Sequence, residues 1–293
     1  MDPRAIRRFK KNSAALAGAA IVACVVLFAL LAPHLVGHDP FLSDFERGRA
    51  PEGTPMPPSA VHLLGTDSLY RDELSRLAYG ARFSLEIGIA ASAISLLIGA
   101  LAGIVAGYAE GRGLEVGKLR LGVDGLIMRF VDIGLSFPFL LLVMAIGAAL
   151  DRTTEGTILL VLGLTSWLGT ARVVRAKTLQ VRELDFVLAS RALGQRTPGI
   201  LLRHILPNVS GVLIVIGTIS IAQMILAESV LSYLNLGLPP PAPSWGRMLL
   251  EGQRVYLAAP WLLVAPGVAI LLSVLGFNLL GEGLRDALDP RES

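Results

Sequence analysis

The residues most capable of chemistry are ionisable side chains that lie within long apolar stretches of the sequence. A charge in hydrocarbon is costly, so each such group needs an oppositely charged partner or a wetted surface. Arg82 and Glu86 are one helical turn apart, and this spacing predicts an ion pair near the start of an apolar run. Arg129 and Asp132, three residues apart, predict a second pair.

Glu228 is the ionisable residue that its sequence neighbours do not explain. It lies in the stretch IAQMILAESVLSYLNLG with no basic residue nearby, and Gln223 and Ser229 are polar neighbours that could share a hydrogen bond with it or with another helix. Two roles remain open. Glu228 forms a structural bond between helices, or it lines a polar path or gate together with Gln223.

The sequence contains none of the motifs that would give the chain an activity of its own. It lacks GxxxxGK[ST], the loop that cradles the phosphates of ATP, and it lacks the HExxH and GxSxG motifs of hydrolases. The one cysteine, Cys24, lies in an apolar run. The histidines are scattered without metal-ligand spacing. We therefore expect no enzyme, no catalytic residue, no metal site and no cofactor in this chain; the histidines are His34, His38, His62 and His204.

The composition predicts an all-α integral membrane protein with six transmembrane helices. Of 293 residues, 53% are hydrophobic and 17% are charged, and the mean hydropathy is +0.64. These values are too apolar for an ordinary soluble domain. A span needs roughly 20 apolar residues. Six runs approach or exceed this length, although the fourth is short: 14–36, 83–108, 126–150, 156–171, 209–231 and 261–280.

The basic residues predict the orientation. If both termini are cytoplasmic, the cytoplasmic segments contain 18 of the 26 lysines and arginines, as the positive-inside tendency requires. The organisation would then be a cytoplasmic N-terminus (1–13), a first helix (14–36), an external segment (37–82), a transmembrane region (83–284) and a cytoplasmic tail (285–293). The first apolar run exceeds the ~7–15 residues of a signal-peptide core, so we expect a retained helix.

Two external segments carry local structure. In the first, Thr66, Asp67 and Ser68 supply capping oxygens, and residues 69–78 predict an amphipathic helix on the outer membrane surface. This helix could anchor the chain at the interface or meet an external partner. In the second, the run LPPPAPS forbids continuous helix, and a short helix is predicted from Gly246 to Gln253.

The stretch DFVLASRALGQRTPGILLRHILPN (185–208) interrupts the apolar runs with a charged, amphipathic segment. A helix is predicted over 178–193, whose packing stripe is Val181, Leu184, Leu188 and Ala192. Gly194 ends this helix, Thr197 and Pro198 start a second short one, and Pro207 stops it before the fifth span. Physics alone leaves two uses equally open, namely a hairpin held by anionic lipid and a rigid knob that docks into another protein.

This segment resembles the EAA loop, the cytoplasmic coupling loop of binding-protein-dependent ABC importer permeases. In that loop Glu-Ala-Ala is followed by a glycine and later by a Leu-Pro pair. Leu188 replaces the glutamate and Ser190 the second alanine, while Glu183 and Asp185 supply carboxylates upstream. The matching residues are Leu188, Ala189, Ser190, Gly194, Leu206 and Pro207.

Three further stretches narrow the resemblance. GTDSLYRDELSRLAYGARFSLEIG, LAESVLSYLNLGLPPPAPSWGRML and GFNLLGEGLRDALDPR resemble the C-type membrane subunit of oligopeptide, dipeptide and nickel importers. Tyr70 stands where a glycine is usual. The resemblance covers about 64–291 and implies the type I ABC importer permease fold, with six transmembrane helices and a coupling-helix hairpin between the fourth and fifth.

The resemblance implies an inner-membrane permease that imports peptides or a related small solute such as nickel. It implies a homologous permease subunit, two ATP-binding subunits that carry ATP and Mg, and an external solute-binding protein, with no nucleic acid. Asp67, Arg71 and Asp72 would lie near the binding protein, and Glu228 near the pathway. The residues that would form or contact the coupling element are Arg182, Glu183, Asp185, Leu188, Ala189, Ser190, Arg191, Gly194, Leu206 and Pro207.

Two other classes of function remain as alternatives. An ion-coupled secondary transporter would use Glu228 as a proton-responsive group, although the sequence shows no inverted repeat and no matching pair of broken spans. A membrane anchor without transport would recruit cytoplasmic proteins through the 185–208 segment and would carry no solute.

Overall fold

The computed structural model describes residues 3–111, 113–116, 119–149 and 154–288. The last residue of the predicted third span, Leu150, and the end of the predicted tail, 289–293, lie outside this range. Helices dominate the described chain. They are α1 (Pro3–Lys11), α2 (Ser13–Leu35), α3 (Glu73–Ala109), α4 (Val123–Leu135), α5 (Phe139–Ala149), α6 (Glu155–Arg182), α7 (Asp185–Ala192), α8 (Thr197–Ile200), α9 (Leu206–Tyr233), α10 (Trp245–Gly252) and α11 (Trp261–Leu288).

Six membrane spans are present if one bent pair of helices counts as a span. Five helices are individually long and apolar enough to cross a bilayer, namely α2, α3, α6, α9 with the turns before it, and α11. The sixth is the pair α4 and α5, which meet at 84° across a short break. The prediction of six spans is therefore confirmed, but the third is not the continuous helix that the run 126–150 suggested.

The bundle has two ends. The end that carries α7 is called the α7 end below, and the opposite end, where α3 begins and α10 lies, is called the α10 end. At the α7 end, two short strands, β1 (Gly113–Val116) and β2 (Leu119–Gly122), pair antiparallel between α3 and α4. Among the described residues they are the one pair of strands, beside two isolated β-bridges, Arg49 with Pro55 and Thr66 with Asp72.

Close packing of α3 against α6 forms the centre of the fold. A Cβ on Gly103 would lie 2.6 Å from the carbonyl oxygen of Ala171 and 2.7 Å from Cβ of Val174. Gly99 and Gly107 meet Thr170 and Thr178 equally closely. Glycines at every fourth position therefore let the two backbones approach.

The α10 end is organised by the start of α3. Asp72 is the N-cap, because its carboxylate accepts a hydrogen bond from the backbone N–H of Ser75 at 2.8 Å. The predicted surface helix over 69–78 is wrong. Tyr70 adopts a left-handed φ of 62° in a turn before Asp72, and the helix that follows continues unbroken into the second span. The short helix predicted in the second external segment is confirmed as α10.

The segment between the fourth and fifth spans also departs from the prediction. α6 extends to Arg182, so the helix predicted from 178 is divided between α6 and α7. Pro207 does not stop a helix. A π-helical turn, Leu201–Ile205, joins α8 to α9, and the N–H of Leu206 donates to the carbonyl of Leu201. The wider turn accommodates the proline, which lacks an N–H and would otherwise clash with the preceding turn.

Candidate functional site

The α7 hairpin (residues 183–205) is a rigid projection at one end of the bundle. Its turn is a Schellman motif: the N–H of Gln195 donates to Ser190 O at 3.1 Å and the N–H of Gly194 to Arg191 O at 3.0 Å. Gly194 has φ of +76°. This left-handed conformation favours glycine, so the prediction that Gly194 ends the helix is confirmed.

Val187 fixes α7 to the bundle. It is fully buried and packs in an apolar cluster with Val181 of α6 and Ile200, Ile205 and Val209 of the following turns. The predicted stripe is therefore wrong in part, because Leu184 and Leu188 are exposed. The helix is interrupted between α6 and α7. This interruption rotates α7, so the residues that face the bundle are not those that a continuous helix over 178–193 would place there.

Ion pairs tie the end of α6 to the end of α3. Arg182 donates to the backbone carbonyls of Gly107 at 2.9 Å and Glu110 at 3.1 Å. Arg175 pairs with the carboxylates of Glu110 at 2.9 Å and Asp124 at 2.6 Å. Arg182 is thus a structural support of the hairpin and is turned toward the bundle, whereas the sequence assigned it to contact with a partner.

His204 is a hairpin residue that sequence reasoning missed. Its Nε2 lies 3.0 Å from Oε1 of Gln195 and 3.2 Å from Oγ of Ser190, so it joins the second arm of the hairpin to the turn and to α7. Ser190 also donates to the carbonyl of Phe186. The sequence signal was weak, because 14 residues separate Ser190 from His204 and only the Gly194 turn brings them together.

The outward face of α7 is open to contact. Leu188 is an exposed apolar side chain on this face. Phe186 lies on the flank toward His204, with the ring centres 6.0 Å apart, and Arg191 turns toward the bundle, with its guanidinium 5.4 Å from the ring centre of Tyr108. Leu206 and Pro207 lie at the start of α9, also exposed. Exposed beside Leu188 are the other predicted coupling residues, Glu183, Asp185, Ala189 and Gly194.

The predicted external contact residues Asp67, Arg71 and Asp72 are buried at the α10 end, at 3%, 4% and 3% exposure. Arg71 Nε donates to Asp67 at 2.7 Å, and Glu251 of α10 accepts from Arg71 at 3.2 Å and from Arg76 at 2.7 Å. These side chains bind the segment after α2, the start of α3 and α10 to one another. Their burial leaves them no free surface within this chain.

His38, His62 and Asp72 also converge at the α10 end. Their nearest nitrogen and oxygen atoms lie within 4.8 Å of one another, a set that could hold a metal ion. Hydrogen bonds already account for the arrangement, because His62 Nδ1 lies 2.9 Å from Asp72 Oδ1 and the other oxygen of Asp72 caps α3. Beside them, the backbone N–H of Arg47 donates to Asp44 and lowers the pKa of that carboxyl. The absence of a metal site stays a prediction from the sequence.

Glu228 is held inside this chain. Ser84 of α3 donates to Oε2 at 2.9 Å and Ser232 donates to Oε1 at 2.7 Å, and the side chain is fully buried. Gln223, by contrast, is exposed. Of the other ionisable groups within the spans, Arg82 pairs with Glu86 at 3.0 Å as predicted. Asp132 pairs with Arg172 of α6, so the predicted pairing with Arg129 is wrong.

Comparison with known proteins identifies the family. A family model described as "Binding-protein-dependent transport system inner membrane component" matches residues 99–293, and one described as "N-terminal TM domain of oligopeptide transport permease C" matches residues 4–58. The two matches between them account for most of the chain, including all of the α7 hairpin.

Relatives match over almost the whole length. The chain is 37% identical to the oligopeptide transport system permease protein OppC of Bacillus subtilis over 98% of this chain and 88% of that protein. It is 39% identical to the dipeptide transport system permease protein DppC of the same organism over 97% and 84%, and 37% identical to the glutathione transport system permease protein GsiD of Pectobacterium atrosepticum over 97% and 89%. The chain therefore belongs to the family of inner-membrane permease components of binding-protein-dependent transport systems.

Proposed function

We propose that this chain is one of two homologous permease subunits of an ATP-driven importer for peptides or related small solutes. Both termini and the α7 hairpin lie on the cytoplasmic side, and the α10 end faces a solute-binding protein outside. ATP and Mg are bound by two separate subunits beneath the membrane. The domain boundaries predicted from the sequence, with a coupling loop at about 178–208, are part of this proposal, with α7 as the coupling helix.

The observation that carries the proposal is the contrast between the two faces of α7. Its inward face is anchored by Val187 and braced by His204 and the Arg191–Tyr108 contact. Its outward face presents Leu188 to solvent, together with Asp185 and Ala189. Exposed apolar side chains on a rigid support are typical of a surface that a partner covers. A partner that pushes on this face moves α6 and α9 directly, because the hairpin has no flexible connection to either.

Leu188 gives this docking contact an apolar character. The family resemblance places a glutamate at this position, whereas this chain has an exposed leucine. The ATP-binding subunit that receives α7 should therefore present an apolar surface opposite Leu188. Glu183 and Asp185, at the start of the hairpin, provide the negative charges of the same surface.

The solute class rests on the relatives. OppC and DppC of Bacillus subtilis are named for oligopeptide and dipeptide transport, and GsiD of Pectobacterium atrosepticum for glutathione transport. These substrates share a peptide backbone with charged ends, which makes short peptides the favoured class for this chain. Nickel is the second possibility that the resemblance of the sequence implies.

The ion-coupled alternative is disfavoured by the surroundings of Glu228. A proton-responsive carboxyl needs access to water during transport, and both oxygens of Glu228 accept hydrogen bonds from buried serines. A bond between α3 and α9 is the use that this geometry favours.

Replacement of Leu188 by aspartate tests the docking proposal. We expect Leu188→Asp to reduce ATP-dependent peptide uptake at least tenfold and to weaken co-purification of the ATP-binding subunits, because it places an unpaired charge in an apolar contact. The variant should insert into the membrane in normal amounts, since Leu188 does not contribute to the core. Leu257→Asp is the matched control, because Leu257 is 85% exposed in the segment after α10.

Full uptake and normal co-purification in Leu188→Asp would contradict a docking role for α7. Uptake that continues without ATP and follows a proton gradient would contradict the importer itself. Recovery of the ATP-binding subunits with no solute flux for any tested peptide would instead favour the anchor that carries no solute.

A further inference from the structure

An exposed ion pair lies at the side of the bundle, near the edge of the membrane on the α7 side. Arg172 of α6 donates to Asp132 of α4 at 2.5 Å, and the two side chains remain 55% and 63% exposed in the single chain. The pair is not covered by any neighbouring helix of the described chain. Hydrocarbon does not accept exposed charges, so water, lipid headgroups or protein must meet the pair.

The depth of the pair follows from the packing of α4 on α6. A Cβ on Gly134 would lie 2.4 Å from Cδ1 of Leu168, and Leu168 is 13 residues from the first residue of α6 and 14 from the last. Arg172 directly follows the apolar run 156–171, which places it about 13 Å from the centre of that run. The hydrocarbon extends roughly 15 Å to either side of its midplane, so the pair lies near its edge on the α7 side.

The break between α4 and α5 lies on the same side, about one turn further from the α7 end. Ser136, Phe137 and Pro138 are exposed, and Ser136 is one turn from Asp132, whose carbonyl accepts its N–H at 3.1 Å. Two helix ends meet here at 84°. The last carbonyls of α4 accept hydrogen bonds from Ser136 and Phe137, whereas the first N–H groups of a helix have no partner within that helix. Irregular backbone at membrane depth is tolerated only against protein or a water-filled cavity.

We propose that this face of α4 and α6 lines the water-filled translocation pathway, and that Asp132 and Arg172 contact the charged ends of a zwitterionic peptide. The proposal rests on the proposed importer function and assigns its pathway. The ammonium end of the peptide would approach Asp132 and the carboxylate end Arg172, each replacing one half of the resting ion pair.

An aqueous pathway is favoured over simple burial against the partner permease. A partner that buried this pair would remove two charges from water. The free energy of desolvation commonly exceeds the attraction between the two charges, so such burial would not stabilise the interface. A pathway keeps both charges hydrated until a solute arrives. Glu228 and Gln223, which the sequence suggested as pathway residues, do not lie on this face with the pair: Glu228 is enclosed between α3 and α9.

Thiol accessibility tests the pathway assignment without reference to the solute. The chain has one cysteine, so Cys24→Ser gives a cysteine-free background. In opened membrane vesicles that contain the assembled transporter, Ser136→Cys should react with a charged, membrane-impermeant sulfonate reagent at least tenfold faster than Leu271→Cys. Leu271 is the matched control, because it is 62% exposed near the middle of α11, a helix that packs on α2 and α9. Equal rates would overturn the proposal.

Protection by peptides tests the ligand class. A tryptic digest of casein should slow the modification of Ser136→Cys at least threefold, and the same digest with acetylated and amidated ends should not. Asp132→Asn in that background should remove the protection. Protection that is absent, or equal for blocked and free peptides, would overturn the assignment of charged ends. ATP-driven uptake by the cysteine-free chain is measured separately, so loss of importer function is distinguishable from a wrong pathway face.

Discussion

The backbone conformation of Gly194 allows a test of the proposed coupling role of the α7 hairpin. A side chain there would meet no atom within 4 Å, so the positive φ alone decides what the position tolerates. A β-branched residue in the left-handed region costs about 1–2 kcal/mol and would open the Schellman turn. We expect Gly194→Val to insert normally but to hydrolyse ATP without peptide uptake, as measured in reconstituted vesicles.

The control at this position is Gly194→Asn. Asparagine enters the left-handed region more readily than other residues with a side chain, so the turn should persist and uptake should stay near the original rate. Full uptake in the valine variant would remove the turn from the coupling mechanism. Loss of uptake in both variants would indicate a requirement for glycine that the backbone angle does not explain.

Substitutions at Glu228 distinguish a structural carboxyl from a carboxyl that binds a transported proton. Glu228→Gln keeps an oxygen that accepts from Ser84 or Ser232, so we expect peptide uptake and its pH profile to remain close to those of the original chain. Glu228→Leu leaves both serine hydroxyls without their acceptor, which costs about 1–3 kcal/mol for each buried group. Its thermal unfolding temperature in detergent should fall. A glutamine variant that loses uptake while it unfolds normally would restore the ion-coupled alternative.

Among the elements, α3 and α10 are joined at the α10 end by buried ion pairs. Glu251 accepts from Arg71 and Arg76, whose side chains are buried. Removing one partner of a buried pair typically costs about 3–5 kcal/mol when the other charge is left unpaired. Asp67 still pairs with Arg71 at 2.6 Å and with Arg76 at 3.2 Å, so the loss on removal of Glu251 should be smaller than that. We expect Glu251→Ala to lower the thermal unfolding temperature and to expose the segment 37–72 to protease.

Arg82→Ala is the comparison for that variant. Its pair with Glu86 has the same kind of geometry, at 3.0 Å, but both side chains are more than half exposed. Exposed pairs are worth about 0–1 kcal/mol, so unfolding should scarcely change. Equal effects of the two variants would show that burial does not set the strength of the α10 network.

The contact between α3 and α6 makes a second prediction at the element scale. A methyl group at Gly103 would collide with the backbone carbonyl of Ala171, which cannot move without displacing α6. Overpacking of this kind costs about 1–3 kcal/mol. We expect Gly103→Ala to lower the unfolding temperature and the yield of folded protein in detergent.

Gly169 provides the matched substitution on α6. A Cβ there would meet no atom within 4 Å, so Gly169→Ala gains helix propensity without a clash and should be neutral or stabilising by up to about 1 kcal/mol. The difference between the two alanine variants measures the close approach itself. If both behave alike, the glycine row of α3 does not set the distance between the helices.

For the whole molecule, the membrane class and the number of spans could be predicted because apolar length is a property of sequence alone. The ends of the elements could not. The helix predicted over 69–78 merged with α3 because the tertiary network at Asp67, Arg71 and Asp72 selected Asp72 as the N-cap. The bend between α4 and α5 was hidden in a run whose apolar character continues through Pro138.

In the candidate site, too, some residues could be predicted from the sequence and others could not. Gly194 could be identified from its residue type, since few other residues accept its backbone angle. Val187, His204 and Tyr108 could not, because their contacts join residues from different elements. Asp132 was assigned the wrong partner for the same reason: Arg129 is near it in sequence, whereas Arg172 is near it in space.

The π turn before Pro207 determines how movement is transmitted along the fifth span. Because the turn does not interrupt the helical path, residues Thr197–Tyr233 form one stiff rod of 37 residues. At 1.5 Å per residue its length is about 55 Å, so a tilt of 10° at one tip displaces the other by about 10 Å. A rod transmits displacement in both directions. Docking of a loaded binding protein at the outer tip should therefore shift α7 and accelerate ATP hydrolysis before any solute has crossed the membrane.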